Sequence, residues 1–132
     1  MDYLLDTHVL LWHFVLPKKL SNNIKTILLD LKSNIFISTV SLWEIALKVS
    51  IGKLDLKGKN PDDIPEAARS LGFNFLNLDP HTAASFYKLP RYKNKDPFDR
   101  MLAWQAINEK FILLSKDKGF DDYQKEGLKR IW

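Results

Sequence analysis

Tyr3-Leu4-Leu5-Asp6-Thr7-His8 reads as a short apolar strand that stops abruptly on a carboxylate. Apolar character resumes at once in Val9-Leu10-Leu11-Trp12, so the polarity break is local, as where a strand end turns into a helix. An acid in that place lies at the carboxyl edge of a sheet. In open α/β sheets that edge is where ligands and chemistry collect.

Outward from this strand the chain alternates regularly. A helix from His8 to about Leu16 ends at Pro17, which cannot continue it. Ser21 caps a second helix, Asn22 to about Lys32, with Ile24, Ile27, Leu28 and Leu31 on one apolar stripe. Ile35-Phe36-Ile37-Ser38 is a buried strand feeding a helix from Val40 to Ile51 that is nearly apolar all round, with Glu44 and Lys48 its only charges. Gly52 stops that helix, and Lys53 to Pro65 is a polar connection. A short helix from Ile64 to about Leu71, closed by Gly72, precedes Phe73 to Leu78, which alternates as a strand near the sheet edge. Asp79-Pro80 opens a helix to about Lys88. The basic loop Leu89 to Lys95 then leads into Asp96-Pro97-Phe98-Asp99, the start of a helix to about Asn108. Phe111 to Leu114 is a buried strand, Lys116 to Gln124 a turn and short helix, and Leu128 to Trp132 the last strand. Strands separated by helices, with near-continuous apolar strands in the middle, predict an α/β fold of three layers. Its centre is a parallel sheet of about five strands, with helices on both faces and right-handed crossovers.

The 132 residues suit a single domain, 1–132, with a real hydrophobic core. The absence of cysteine excludes disulfides, thiolate metal sites and cysteine nucleophiles, and a reducing cytoplasmic setting is expected. No apolar run approaches ~18 residues and no leader-like segment opens the chain, so a soluble protein with no membrane segment is expected. A net charge of +4 and a pI near 9.2 tilt the protein toward anionic partners.

Four carboxylates share a position type. Asp6 ends the first strand, Glu44 begins a helix after the second, Asp99 begins a helix, and Asp117 follows Ser115 beyond a later strand. In a parallel sheet all these places face the carboxyl edge, so residues far apart in sequence converge. Taken singly, each has a structural reading. Ser41-Leu42-Trp43-Glu44 has the pattern of a capping box, Asp96 that of a cap before Pro97, Glu44 and Lys48 that of a surface pair, and Asp117 that of a turn residue. Taken together, converging carboxylates repel, and either one takes up a proton or a cation neutralises the cluster. All-oxygen donors suit hard ions, so Mg²⁺ or Mn²⁺ is the expected cofactor. Such an ion can hold an attacking water and stabilise a pentacovalent phosphate. Arg91, Lys93, Lys95 and Arg100 flank Asp96 and Asp99 and offer cations to a nucleic-acid backbone, with Tyr92 among them to stack on a base.

The motifs Leu4-Leu5-Asp6-Thr7-His8, Ser38-Thr39-Val40-Ser41-Leu42-Trp43-Glu44-Ile45-Ala46, Asp96-Pro97-Phe98-Asp99-Arg100-Met101-Leu102 and Leu113-Leu114-Ser115-Lys116-Asp117 occur in this order and spacing. The chain thereby resembles, over essentially its whole length, the PIN-domain family and specifically the VapC toxin ribonucleases of VapBC toxin–antitoxin systems. The resemblance implies a metal-binding site of Asp6, Glu44, Asp99 and Asp117, supported by Thr7 and Ser115, with Asp96 a fifth candidate. It also implies a metal-dependent endoribonuclease, a homodimer, and a neutralising VapB-like antitoxin whose tail occupies a groove near the site. Leu11, Trp12 and Phe14 are candidates for such contacts. Many relatives carry threonine at the place of Ser115, and the hydroxyl is retained here.

Two other readings are available. A receiver-like phosphoacceptor domain also gathers acids around Mg²⁺, but it needs an acceptor Asp closing a middle strand, whereas Asp96 and Asp99 start a helix. A PIN fold that only binds RNA or a partner is the other. His8, His13 and His81 show no metal-ligand spacing, and no Gly-rich phosphate loop is present.

Overall fold

The computed structural model describes residues 1–132. Five strands, β1 (Asp2–Leu5), β2 (Asn34–Ser38), β3 (Asn74–Leu76), β4 (Ile112–Leu114) and β5 (Lys129–Ile131), form one sheet in the order β3-β2-β1-β4-β5. Every neighbouring pair is parallel. The helices are α1 (Thr7–Val15), α2 (Asn22–Leu29), α3 (Thr39–Ser50), α4 (Ile64–Ser70), α5 (Pro80–Ser85) and α6 (Pro97–Glu109), with short 3₁₀ segments between them.

β1 takes the centre because its side chains are apolar on both faces. Tyr3 and Leu5 pack with Val9 and Leu10 of α1, Ile24 of α2 and Ile45 of α3. Leu4, between them, points the other way and packs with Leu102, Ala103 and Ala106 of α6 and with Phe120 and Tyr123. The period-two alternation of one strand thus feeds two cores, and the three layers follow. Full burial of a leucine of this kind contributes about 1.5–3 kcal/mol.

The chain moves outward from β1 to β2 to β3, then returns to place β4 on the other side of β1. The strand order therefore reverses between β1 and β4, where Leu5 lies opposite Leu114. A crevice opens outside the carboxyl ends at such a switch point. The residues that follow the two strands there are Asp6 and Ser115.

The expected alternation of elements holds, with differences that have local causes. α2 stops at Leu29, because the Asp30 carboxylate turns back to accept the Lys32 amide at 2.9 Å, and Leu31 beyond it is fully exposed. The cap of α3 is Ser38, whose Oγ accepts the Val40 amide at 3.0 Å; Ser41 is the third residue of the helix and caps nothing. α3 is also not buried all round, since Trp43, Leu47 and Ile51 are exposed along its outer side. Ser21, Asp79 and Asp96 cap α2, α5 and α6 as their sequence positions predict. No helix is long and apolar enough to cross a membrane.

Candidate active site

Asp6 occupies the cap position of α1, yet its side chain accepts no helix amide. Its backbone amide extends the β1–β4 ladder to the Leu114 carbonyl at 3.0 Å, which fixes the residue over the switch point. The carboxylate is 2% exposed. Oδ2 accepts a 2.8 Å hydrogen bond from Ser115 Oγ, and Oδ1 is buried with no partner. Burial pushes the Asp6 carboxyl above its ordinary range, against the Ser115 hydrogen bond and the nearby His8, with the charge of Glu44 adding to the rise.

Glu44 lies in the second turn of α3, deeper than a helix start, and faces the same crevice. It is 2% exposed. Oε2 accepts from Lys48 Nζ at 2.5 Å, while Oε1 is buried and unpartnered. Thr7 Oγ1 donates to Ser41 Oγ at 2.9 Å, joining the first residue of α1 to α3 beside Glu44. Two buried carboxylates, each with one orphaned oxygen, are costly unless something positive or protonated meets them.

Asp99, half-buried in the first turn of α6, completes the inner group. Its Oδ2 accepts from Asn94 Nδ2 at 2.8 Å. Its pKa is pushed up to about 6, first by burial and then by the charges of Asp6, Asp96 and Glu44. Asp96 is committed differently: its Oδ1 accepts the Phe98 amide at 2.8 Å and the Asp99 amide at 3.2 Å. Asp117 is exposed, and its Oδ1 accepts the Gly119 amide at 2.8 Å. With Asp6, His8, Trp12 and Lys116 it lines a shallow pocket of about 240 Å³. Ser115 Oγ also accepts the Asp117 amide at 3.0 Å, so one hydroxyl ties Asp6 to the Asp117 turn.

The acids thus divide into an inner group of Asp6, Glu44 and Asp99, and two capping acids, Asp96 and Asp117, at the rim. As the side chains stand, no three carboxylate or imidazole groups are gathered into a metal cage. A small hard ion that keeps several of its waters needs only one or two carboxylates, and the orphaned oxygens of Asp6 and Glu44 supply that donor set. The residues present fit Mg²⁺ or Mn²⁺.

The basic loop is less uniform than its composition. Arg91, Lys93 and Lys95 are exposed. Tyr92, however, donates its hydroxyl to Glu126 at 3.1 Å and packs edge-on against Tyr123 at 5.1 Å, so its ring belongs to the fold. Arg100 spends its guanidinium on the Leu89 carbonyl at 3.0 Å and lies 4.8 Å over the Phe86 ring.

Three residues enter the site without having stood out in the sequence. Lys48 was legible only as an i,i+4 partner of Glu44, and its approach to Asp96 and Asp99 depends on the packing of α3 against α6. Asn94 bonds both the Asp99 carboxylate and the Asp96 amide, with no sequence signal beyond its place before a cap. His8, exposed at the rim, has Nδ1 4.0 Å from Asp6 Oδ2.

Structural comparison finds the same fold in VapBC2 of Rickettsia felis bound to a promoter DNA fragment, at TM-score 0.67 and 17% identity over 99% of this chain and 98% of that one. FitAcB of Neisseria gonorrhoeae matches at TM-score 0.65 and 21% identity, covering 98% and 96% of the two chains. VapBC-1 of nontypeable Haemophilus influenzae matches at 0.63 and 18%, covering 99% and 97%. A sequence search among curated proteins returns no significant match. The sequence profile of the PIN domain matches residues 3–126, from within β1 to the turn before β5. That span takes in all four acid motifs, and the chain belongs to the PIN-domain family.

Proposed function

We propose that this protein is a metal-dependent endoribonuclease of the VapC kind, a toxin hydrolysing RNA phosphodiester bonds until an antitoxin covers it. The observation that carries the reading is the pair of buried, unpartnered oxygens, Asp6 Oδ1 and Glu44 Oε1, at the switch point of the sheet. A fold does not keep two such atoms for stability, because each costs about 1–3 kcal/mol without a partner. Bound there, Mg²⁺ or Mn²⁺ supplies an acidified water and charge stabilisation at the phosphate.

The chain's own residues set the stage for that chemistry. Ser115 and Thr7 hold Asp6 and α3 in register, Asn94 orients Asp99, and the rim acids Asp96 and Asp117 keep the flanking backbone turns in place while adding negative potential. Asp99, beside Asp6 and Glu44, would help hold the ion and the water it carries. The exposed cations Arg91, Lys93 and Lys95 draw in the RNA backbone, and unpaired loops are the RNA form such a shallow, open site accepts.

For the partner, α1 offers an apolar cleft. Leu10, Leu11, Phe14 and Val15 line a cavity of about 280 Å³ against Leu56 and Ile64. Leu11 and Val15 also border a second groove of about 290 Å³ that runs past Trp12 to Glu44 and Lys48. An antitoxin helix seated in the first and a tail in the second would bury both and block the acids. The relatives solved as VapBC and FitAB assemblies support this reading.

The test is cleavage of structured and single-stranded RNAs with Mg²⁺ or Mn²⁺, comparing the wild type with Asp6→Asn, both checked for folding by circular dichroism. Cleavage by the wild type alone supports the proposal. Equal cleavage by both points to a contaminant, and binding without cleavage favours a silent RNA-binding PIN fold. A stable acyl phosphate formed with acetyl phosphate would instead support a phosphoacceptor.

A further inference from the structure

The three inner acids each have one oxygen committed to a neutral or cationic donor. Ser115 Oγ holds Asp6 Oδ2, Asn94 Nδ2 holds Asp99 Oδ2, and Lys48 Nζ holds Glu44 Oε2. Lys48 differs from the other two donors because it carries charge. Its side chain rises from α3 one turn after Glu44 and remains 37% exposed, so the ammonium faces the groove shared with Thr7, His8 and Lys53. Asp96 and Asp99, across the α3–α6 contact, also lie within its electrostatic reach.

A nuclease site that uses two divalent ions clamps the attacking and the leaving oxygen between them. Here Glu44 Oε2 is bonded to an ammonium, while Glu44 Oε1 and Asp6 Oδ1 stay open. One divalent ion and one ammonium together balance the three inner carboxylates. A second divalent ion would exceed the charge of these three carboxylates and would compete with Lys48 for Glu44 Oε2.

We propose that this site takes a single divalent ion and that Lys48 fills the place of the second, meeting a non-bridging oxygen of the scissile phosphate from the groove side. The inference rests on the metal-nuclease reading and goes beyond it in assigning the ion count and a substrate contact.

The experiment counts Mn²⁺ bound by the full chain without RNA, by calorimetric titration and by electron paramagnetic resonance of the free ion. The wild type and Lys48→Arg are expected to bind one ion, and Lys48→Met to gain a second. Two ions on the wild type, or still one on a folded Lys48→Met, would overturn the inference. No ion on the wild type would instead overturn the metal-nuclease reading itself, so the two failures are distinct. If Lys48→Met does not fold, Lys48→Gln replaces it and the wild-type count still decides. In cleavage, Lys48→Gln should lose about a hundredfold in kcat with KM little changed, the mark of a contact that strengthens as charge develops on the phosphate. An equal rise in KM with kcat preserved would contradict the phosphate contact.

Discussion

Ser115 Oγ donates a hydrogen bond to Asp6 Oδ2 at 2.8 Å, linking residues 109 positions apart across the ends of β1 and β4. The same oxygen accepts the Asp117 amide, so the hydroxyl both donates and accepts. Ser115→Ala should leave a second Asp6 oxygen buried and unpaired. The expected cost is about 1–3 kcal/mol, read as a lower urea midpoint with unchanged slope. Ser115→Thr keeps the hydroxyl and should cost much less. Equal losses for the two variants would mean that packing, not the hydrogen bond, holds the turn.

Stability of the metal-free protein should fall as pH rises through the acid range. Asp99 has a pKa near 6 in the fold against an ordinary 3.8, and Asp6 is also raised. A group with a raised folded pKa binds its proton more tightly when folded. Its favourable contribution is therefore complete below the ordinary value and is lost as pH climbs through the folded one. For partly solvated Asp99 the loss amounts to about 1–2 kcal/mol. Thermal melts between pH 4 and 7 in chelator should show the decline, and saturating Mg²⁺ should reverse it at the upper end by binding the folded state alone. A flat profile in chelator would show that the fold does not raise these two acids.

Lys93 and Lys95 stand free of the fold, whereas Tyr92 and Arg100 are engaged in it. Replacing both lysines by alanine should weaken RNA binding across sequences and flatten its dependence on salt by about 0.7 per lost contact on a single strand. Folding stability should stay within about 0.5 kcal/mol. Arg100→Ala should act the other way, lowering stability by removing its bonds to the Leu89 carbonyl and its stacking on Phe86, with little change in salt slope. Salt titrations of oligonucleotide binding beside urea melts separate the two.

The β1 run and its terminal acid were legible because burial on both faces leaves a continuous apolar signature, and the caps of α2, α5 and α6 because a cap is a local bond. The cap of α3 was not, since Ser38-Thr39-Val40-Ser41 offers several hydroxyls and only the strand end decides among them. Lys48 illustrates the harder limit. Its spacing from Glu44 is the same for a surface pair and for a cation inside an acidic site, and only the packing of α6 against α3 distinguishes them. Asn94 and Tyr92 acquire their roles from partners 5 and 34 residues away, which no periodicity encodes.

The outer side of α3 carries an exposed apolar strip. Trp43 is 63%, Leu47 38% and Ile51 56% exposed, one turn apart along one stripe. Phe98 of α6 extends it, edge-on to Trp43 at 5.3 Å. A contiguous exposed apolar strip of this kind suits a protein partner, and it adjoins the acids, since Trp43 precedes Glu44 and Phe98 precedes Asp99. A second copy seated there would bury the tryptophans and set two acidic crevices side by side. Sedimentation equilibrium at micromolar concentration should find a dimer, and the double variant Trp43→Glu, Leu47→Glu a monomer, with the dissociation constant raised about a hundredfold or more. A monomeric wild type would assign the strip to another occupant. Loss of RNA affinity in Trp43→Ala without change in assembly would make that occupant an unpaired base stacked on the indole.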